Sequence, residues 1–525
     1  MELKKIILLL LIATFFGCGQ DDNIKVVDEY DPNETEETFE GPTYADNYTP
    51  IAAWENREEW NLANVHDPSV IKQGDYYYMY QTDASYGNAH EGHGHFHARR
   101  STDLVNWDYM GSTMDTPPTW VKDSMNANRL RMGLAEITNP NYGYWAPCVR
   151  QVGSVYRMYY SLVVNELITG TDGCASWGER PYIGMMETTD LATNSWQDKG
   201  MVVCSIPDGV EDYYRNDCND WSSYYKFNGI DPSYIQTGQG EHWLVYGSWM
   251  TGIAAIQIDP ASGKPFQLNT TEDYGIRIAG RGNINTNRWQ ATEGAEVIYN
   301  PDTGYYYLFL AYDELSVAYN TRVARSTNIL GPYYGMDGQN VSEGAECWPM
   351  ITHPYQFNNH TGWVGISHCS VFQDNESQKW YFASQARLPE GVSGINVSNA
   401  VMMGHVRKLE WTSDGWPVVA PERYAGIPET EITEADIVGT WQQITMEYQY
   451  RVMQTAVNVT FNSDGTLSGG VTGTWQLNTN TKTLLVNGSE CKLFNSWNWE
   501  AATRNVTLTY SGLTANGRPV WGKKD

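Results

Sequence analysis

Two aspartates of this chain stand in the same frame: Asp67 in His66-Asp67-Pro68-Ser69 and Asp231 in Ile230-Asp231-Pro232-Ser233, each opening an apolar stretch. Proline after Asp biases the aspartate to extended geometry and is tolerated where a strand begins. A single such frame reads as a turn, whereas its repetition reads as one structural position used twice. A third acid, Glu293 in Glu293-Gly294-Ala295-Glu296, precedes a similar strand. Carboxyl groups placed on either side of a glycosidic bond can split it, one protonating the leaving oxygen and the other drawing a proton from water. Glu-Gly-Ala-Glu recurs at 343–346, but only the first copy is followed by the strand pattern. Glu293 and Glu296 are three apart, so strand alternation sends them to opposite faces and at most one looks into a shared site. Glu293 is the expected acid, with Glu296 and Glu343 as alternatives.

Side chains this far apart need a ring to bring them together, and the sequence contains one in repeated form. Five segments pair a functional residue and short apolar strand with a turn and a Tyr/Trp-rich strand. They begin at His66-Asp67-Pro68, Trp145-Ala146-Pro147, Ile230-Asp231-Pro232, Glu293-Gly294-Ala295 and His368-Cys369-Ser370. Their second strands are Tyr76–Tyr80, Tyr156–Tyr160, His242–Tyr246, Tyr305–Phe309 and Trp380–Phe382. The spacing accommodates one four-stranded blade per segment. The fold class expected is all-β, a five-bladed β-propeller over 46–425 followed by a small C-terminal β-barrel over 430–525. A composition of 36 Tyr, 21 Trp and 48 Gly fits short strands and tight turns better than helices. Gly439-Thr440-Trp441 and Val506–Tyr510 mark barrel strands, with Asn462-Ser463-Asp464-Gly465 as a turn.

Longer motifs carry a resemblance. Trp145-Ala146-Pro147, Tyr246-Gly247-Ser248-Trp249-Met250-Thr251-Gly252-Ile253, Arg325-Ser326 with Gly331-Pro332-Tyr333, and Gly365-Ile366-Ser367-His368-Cys369-Ser370-Val371-Phe372 together resemble glycoside hydrolase family 43, in particular extracellular endo-arabinanases with a C-terminal barrel. The resemblance covers roughly residues 45 to 421. It implies an inverting hydrolase of α-1,5-linked arabinan, with Asp67 as base, Asp231 orienting and tuning the acid, and Glu293 as acid. It implies substrate contacts at Ser248 and Trp249, and a hydrated calcium ion on the channel axis near His368. Trp145 is the expected stacking platform for a sugar ring. Exo-acting arabinofuranosidases and β-xylosidases share the fold and the acids, and a non-catalytic glycan-binding surface lipoprotein is the reading from another class. An acid matched to a base argues against the last.

The rest of the chain sets the context. Met1-Glu2-Leu3-Lys4-Lys5, the apolar run Ile6 to Ala13 and Phe15-Phe16-Gly17-Cys18 resemble a bacterial lipoprotein signal over 1–18, with Cys18 as the lipidated residue of an outer-membrane or cell-surface protein. Residues 19–45, rich in Asp, Glu, Thr and Pro, read as a disordered tether. A net charge of −28 excludes a nucleic-acid backbone as partner and is compatible with a neutral polysaccharide; a monomer is expected. The seven cysteines after Cys18 lack zinc-ligand spacing, although Cys174, Cys204 and Cys218 crowd one region where a pair could oxidise. His90, His93, His95 and His97 cluster in one loop, a pattern that binds transition metals, contacts substrate or sits in solvent.

Overall fold

The computed structural model describes residues 39–85, 89–166, 168, 177–207, 225–249, 252–281, 289–344, 346–357, 360–392 and 402–525. Cys18, Cys174 and Cys218 lie outside the described residues. Five antiparallel sheets follow one another in chain order. Their first strands are Ser69–Gln73, Tyr142–Val152, Ser233–Gln236, Thr292–Asn300 and Val364–Gln373. All five aromatic runs form second strands: Tyr76–Tyr80, Val155–Val164, His242–Tyr246, Tyr305–Tyr312 and Trp380–Arg387. Their rings pack between neighbouring sheets, as Tyr159 does on Tyr234 at 5.1 Å. The first strands touch in a closed circle, the last sheet meeting the first, which makes a five-bladed propeller.

Among the described residues each blade is one continuous segment, and the exchange between the first and last is limited to an isolated bridge of Ala63 with Met403. A girdle of side-chain to backbone bonds runs around the ring as well. In four of the five first strands one side chain accepts a backbone N–H of the next blade, and Cys148 stands at the matching place in the second. Ser69 Oγ accepts from Val149 at 3.0 Å, Ser233 Oγ from Val297 at 3.1 Å, Glu296 Oε1 from Val371 at 3.3 Å, and Ser370 Oγ from Val70 at 3.2 Å. An unpaired buried N–H costs about 1–3 kcal/mol, so this circle both satisfies the inner strands and fixes their mutual height. Lys72, 2.8 Å from Asp374 Oδ1, adds an ion pair at the closing seam.

Eight strands from Gly439–Thr445 to Pro519–Lys524 close a C-terminal barrel around Trp441, Phe461, Trp475 and Tyr510. It joins the propeller through a short parallel pairing of Gln454–Thr455 with Tyr355–Gln356 and through buried Lys523, held by Glu422 at 2.9 Å and Glu500 at 2.7 Å. Two expectations change. The tether does not reach residue 45: Pro42 C=O accepts from Trp497 Nε1 at 3.2 Å and Tyr44 C=O from Arg504 Nη1 at 2.7 Å, because two barrel side chains offer donors that composition could not reveal. The blades also admit one 13-residue helix, Thr119–Arg131, in the connection between the first two.

Candidate active site

One backbone device, used five times, builds the site. At the mouth of each first strand one residue is left-handed: Asp67 (φ 46°), Ala146 (43°), Asp231 (55°), Gly294 (55°) and His368 (51°). In blades two, four and five the strand register shifts at that point, the mark of a bulge. The kink turns the left-handed residue and the one before it toward the axis. Asp and His tolerate this region better than most side chains, which suits them to the positions where the chain needs a polar group. Gly294 has a second reason: a Cβ there would lie 2.9 Å from the His368 ring.

A cavity of about 610 Å³ opens over this mouth, lined among others by Asp67, Trp145, Asp231, Glu293, Tyr319 and His368. The three expected acids therefore share one chamber. Asp67 Oδ1 lies 2.9 Å from His368 Nδ1, and Oδ2 lies 2.9 Å from His66 Nδ1 while accepting Thr82 Oγ1–H at 2.7 Å. Asp231 Oδ2 accepts the Gly294 N–H at 3.1 Å, binding the second acid to the residue that follows the third. Glu293 accepts Trp249 Nε1–H on one oxygen and Tyr319 O–H on the other.

The environments push these acids apart. Burial opposes charge on Asp67, but His368 and His66 outweigh it and hold the carboxyl well below the usual carboxylate range. Burial, reinforced by the Asp67 charge against the pull of His368, pushes Asp231 up to about 6. Burial, then the charge of Asp231, push Glu293 up to about 7, despite the bonds from Tyr319 and Trp249. An ionised group and a protonated one thus face the same space near neutral pH, the division of labour that acid–base cleavage requires.

Glu296 turns out to belong to the girdle. It sits outside the cavity, bonded to Arg150 Nη2 at 2.6 Å, Ser233 Oγ at 2.7 Å and Val371 N–H. Alternation is thereby corrected: the bulge at Gly294 resets the pleat, so Glu293 and Glu296 both point inward, at different depths. Glu343 is exposed, bonded only to its own loop through Asn340 at 3.1 Å. Trp145 lines the cavity 5.2 Å from half-exposed Trp177, which sequence reasoning did not single out. Ser248 does not fit a substrate contact, because it is 1% exposed and its Oγ is taken by Asn228 at 2.9 Å. Trp249 reaches the chemistry through Glu293. Tyr319 was also missed; it lies on a loop between strands, where no repeat marks it.

The loop histidines are occupied by rings. His93 stacks on Trp54 at 3.7 Å, His90 on His97 at 4.1 Å, and His95 on Tyr144 at 3.4 Å with its Nδ1 2.6 Å from Asp83. Among the described residues no group of three or more His, Cys, Asp or Glu is arranged to hold a metal. For calcium, which prefers several oxygen ligands, the described residues offer no cage. What they offer is one imidazole whose Nδ1 is oriented by Asp67, the arrangement that turns Nε2 toward a metal. Against the cost of burial, the carboxylates, Asp67 foremost, push His368 up to about 10, so positive charge on that ring is favoured.

Comparison with known proteins agrees with this geometry. The chain is 27% identical over 505 residues to the extracellular endo-alpha-(1->5)-L-arabinanase 2 of Bacillus subtilis, covering 90% of this chain and 96% of that one. It is 28% identical to the extracellular endo-alpha-(1->5)-L-arabinanase of Thermotoga petrophila, covering 88% and 93%. The crystal structure of endo-1,5-alpha-L-arabinanase from that organism superposes with a TM-score of 0.66 at 26% identity, over 88% of this chain and 99% of that one. A family 43 glycoside hydrolase from Bacillus licheniformis gives a TM-score of 0.66 at 26% identity, over 88% and 98%. Residues 421–522 match a C-terminal lipocalin-like domain of this family. With residues 62–417 matching Glycosyl hydrolases family 43, the chain belongs to that family and is a glycoside hydrolase.

Proposed function

We propose that the protein cleaves α-1,5-arabinan from within the chain, with inversion at the anomeric carbon. The observation that carries the reaction is the single cavity in which Asp67 is held ionised while Glu293 is held protonated. Asp67 takes a proton from water, Glu293 delivers one to the leaving oxygen, and Asp231 keeps Glu293 protonated by its charge. Trp145 offers a flat apolar face to a sugar ring. The substrate reading rests on the relatives named above, both endo-arabinanases. Product analysis on debranched arabinan tests it: an early ladder of arabino-oligosaccharides is expected. Arabinose alone would replace it with the exo reading, and turnover of xylan but not arabinan with the xylosidase reading.

Those relatives are extracellular, and the leader supports export with lipid attachment at Cys18. Cys18→Ala should move the protein from the detergent phase to the aqueous phase; unchanged partition would remove the anchor. Calcium enters this reading as a hydrated ion touched by His368 Nε2, where it supplies positive charge on the axis. Metal analysis of the dialysed protein is expected to find about one calcium per chain, lost in His368→Ala; equal content in both would remove it.

A further inference from the structure

The barrel domain reaches back to the acid. Its first strand, Gly439–Thr445, is followed by a loop that ends in the Gln454–Thr455 pairing with the propeller. From this loop Tyr448 extends a hydroxyl into blade four. The hydroxyl donates to Asp313 Oδ1 at 3.1 Å and accepts from Arg281 Nη2 at 3.1 Å and Gln290 Nε2 at 2.9 Å. Arg322 lies over the Tyr448 ring at 4.4 Å, which fixes the ring from a third side.

Both supports of Glu293 run to these partners. Asp313, fully buried and left-handed at φ 72°, donates its N–H to Ala291 C=O at 3.0 Å and accepts Asn320 Nδ2–H at 2.7 Å. Ala291 lies two residues before Glu293, on the strand entry whose Thr292 C=O receives the Trp249 N–H at 2.9 Å. Asn320 follows Tyr319, whose hydroxyl holds one Glu293 oxygen. Gln290 opens the same strand entry. Asp313 is thus a single post behind both Tyr319 and the backbone carrying the acid, and its Oδ1 is shared by a buried ion pair with Arg281 and the Tyr448 hydroxyl.

We infer that Tyr448, a residue of the C-terminal barrel, is a positioning residue that aims the carboxyl of Glu293 at the leaving oxygen. The inference rests on Glu293 being the acid. A proton delivered from a misaimed carboxyl matters most when the leaving group is a sugar alkoxide and little when it is a stable phenolate. The test compares debranched arabinan with an aryl arabinotrioside carrying a nitrophenolate leaving group, for the full-length parent, Tyr448→Phe, Gln290→Leu and Glu293→Gln. Tyr448→Phe is expected to lose about 10-fold or more in kcat on arabinan with KM within about twofold, and to stay near the parent on the aryl substrate. Gln290→Leu should follow in the same direction, and the double variant should lose no more than the worse single one. Equal losses on both substrates, or an unchanged kcat on arabinan for the folded Phe variant, would overturn the inference. If Glu293→Gln itself showed no leaving-group dependence, the assignment of the acid would fall with it; if only Tyr448→Phe lacked that dependence, the inference alone would fall.

Discussion

Asp67→Ala is expected to lower kcat on debranched arabinan by roughly 10³-fold or more while the variant still binds the polymer with affinity within about twofold of the parent. Of Asp67, Asp231 and Glu293, Asp67 is the one held firmly ionised, by two imidazoles beside the Thr82 hydroxyl, so it is the group among them able to accept a proton from water throughout the neutral range. Its removal also releases His368, whose positive charge answers Asp67 before it answers Asp231 or Glu293. Trp145 and Trp177 on the cavity wall remain to hold sugar rings. Binding measured by calorimetry beside turnover measured by reducing ends separates the two effects. Turnover near the parental rate would remove Asp67 from the role of base, and loss of binding in parallel with turnover would make it a substrate anchor.

The ring itself was written in the sequence, because a repeat of functional residue, apolar strand and aromatic strand has a physical meaning in only a few architectures. Repetition also exposed Asp67 and Asp231, whose shared Asp-Pro-Ser frame marks both the left-handed residue and, at Ser69 and Ser233, the girdle acceptor two places on. Glu296 fills that girdle position in another blade, so the rule is geometric and residue identity hides it. The bulges were illegible for the same reason: Glu296 looks like a surface-alternating strand residue until the register shift at Gly294 is known. Ser248 failed as a substrate contact because a motif match transfers a neighbourhood and says nothing about exposure. Tyr319, Asp313 and Tyr448 act from loops, one of them in another domain, and no period or local pattern connects them.

Glu293→Gln is the second large effect expected: a loss of about 10²–10⁴-fold in kcat on arabinan, shrinking on an aryl arabinoside, and disappearance of the basic limb of the pH profile. With the acid raised to about 7 by burial and by Asp231, parental kcat/KM should hold up to about pH 7 and fall tenfold per unit above it. The acidic limb should lie well below, since Asp67 stays ionised there. Asp231 and Glu293 titrate as a pair, so the two steps read near 6 and 7 belong to both. The same shift has a cost in stability with a definite sign. A carboxyl whose pKa rises from 4.5 unfolded to about 7 folded contributes stability present below 4.5 and lost as pH rises through 7. Glutamine carries no such charge, so thermal melts at pH 8 should find Glu293→Gln at least as stable as the parent, although it is far less active. A basic limb unchanged in Glu293→Gln, or a parental profile still rising above pH 8, would mean that another group gives the proton.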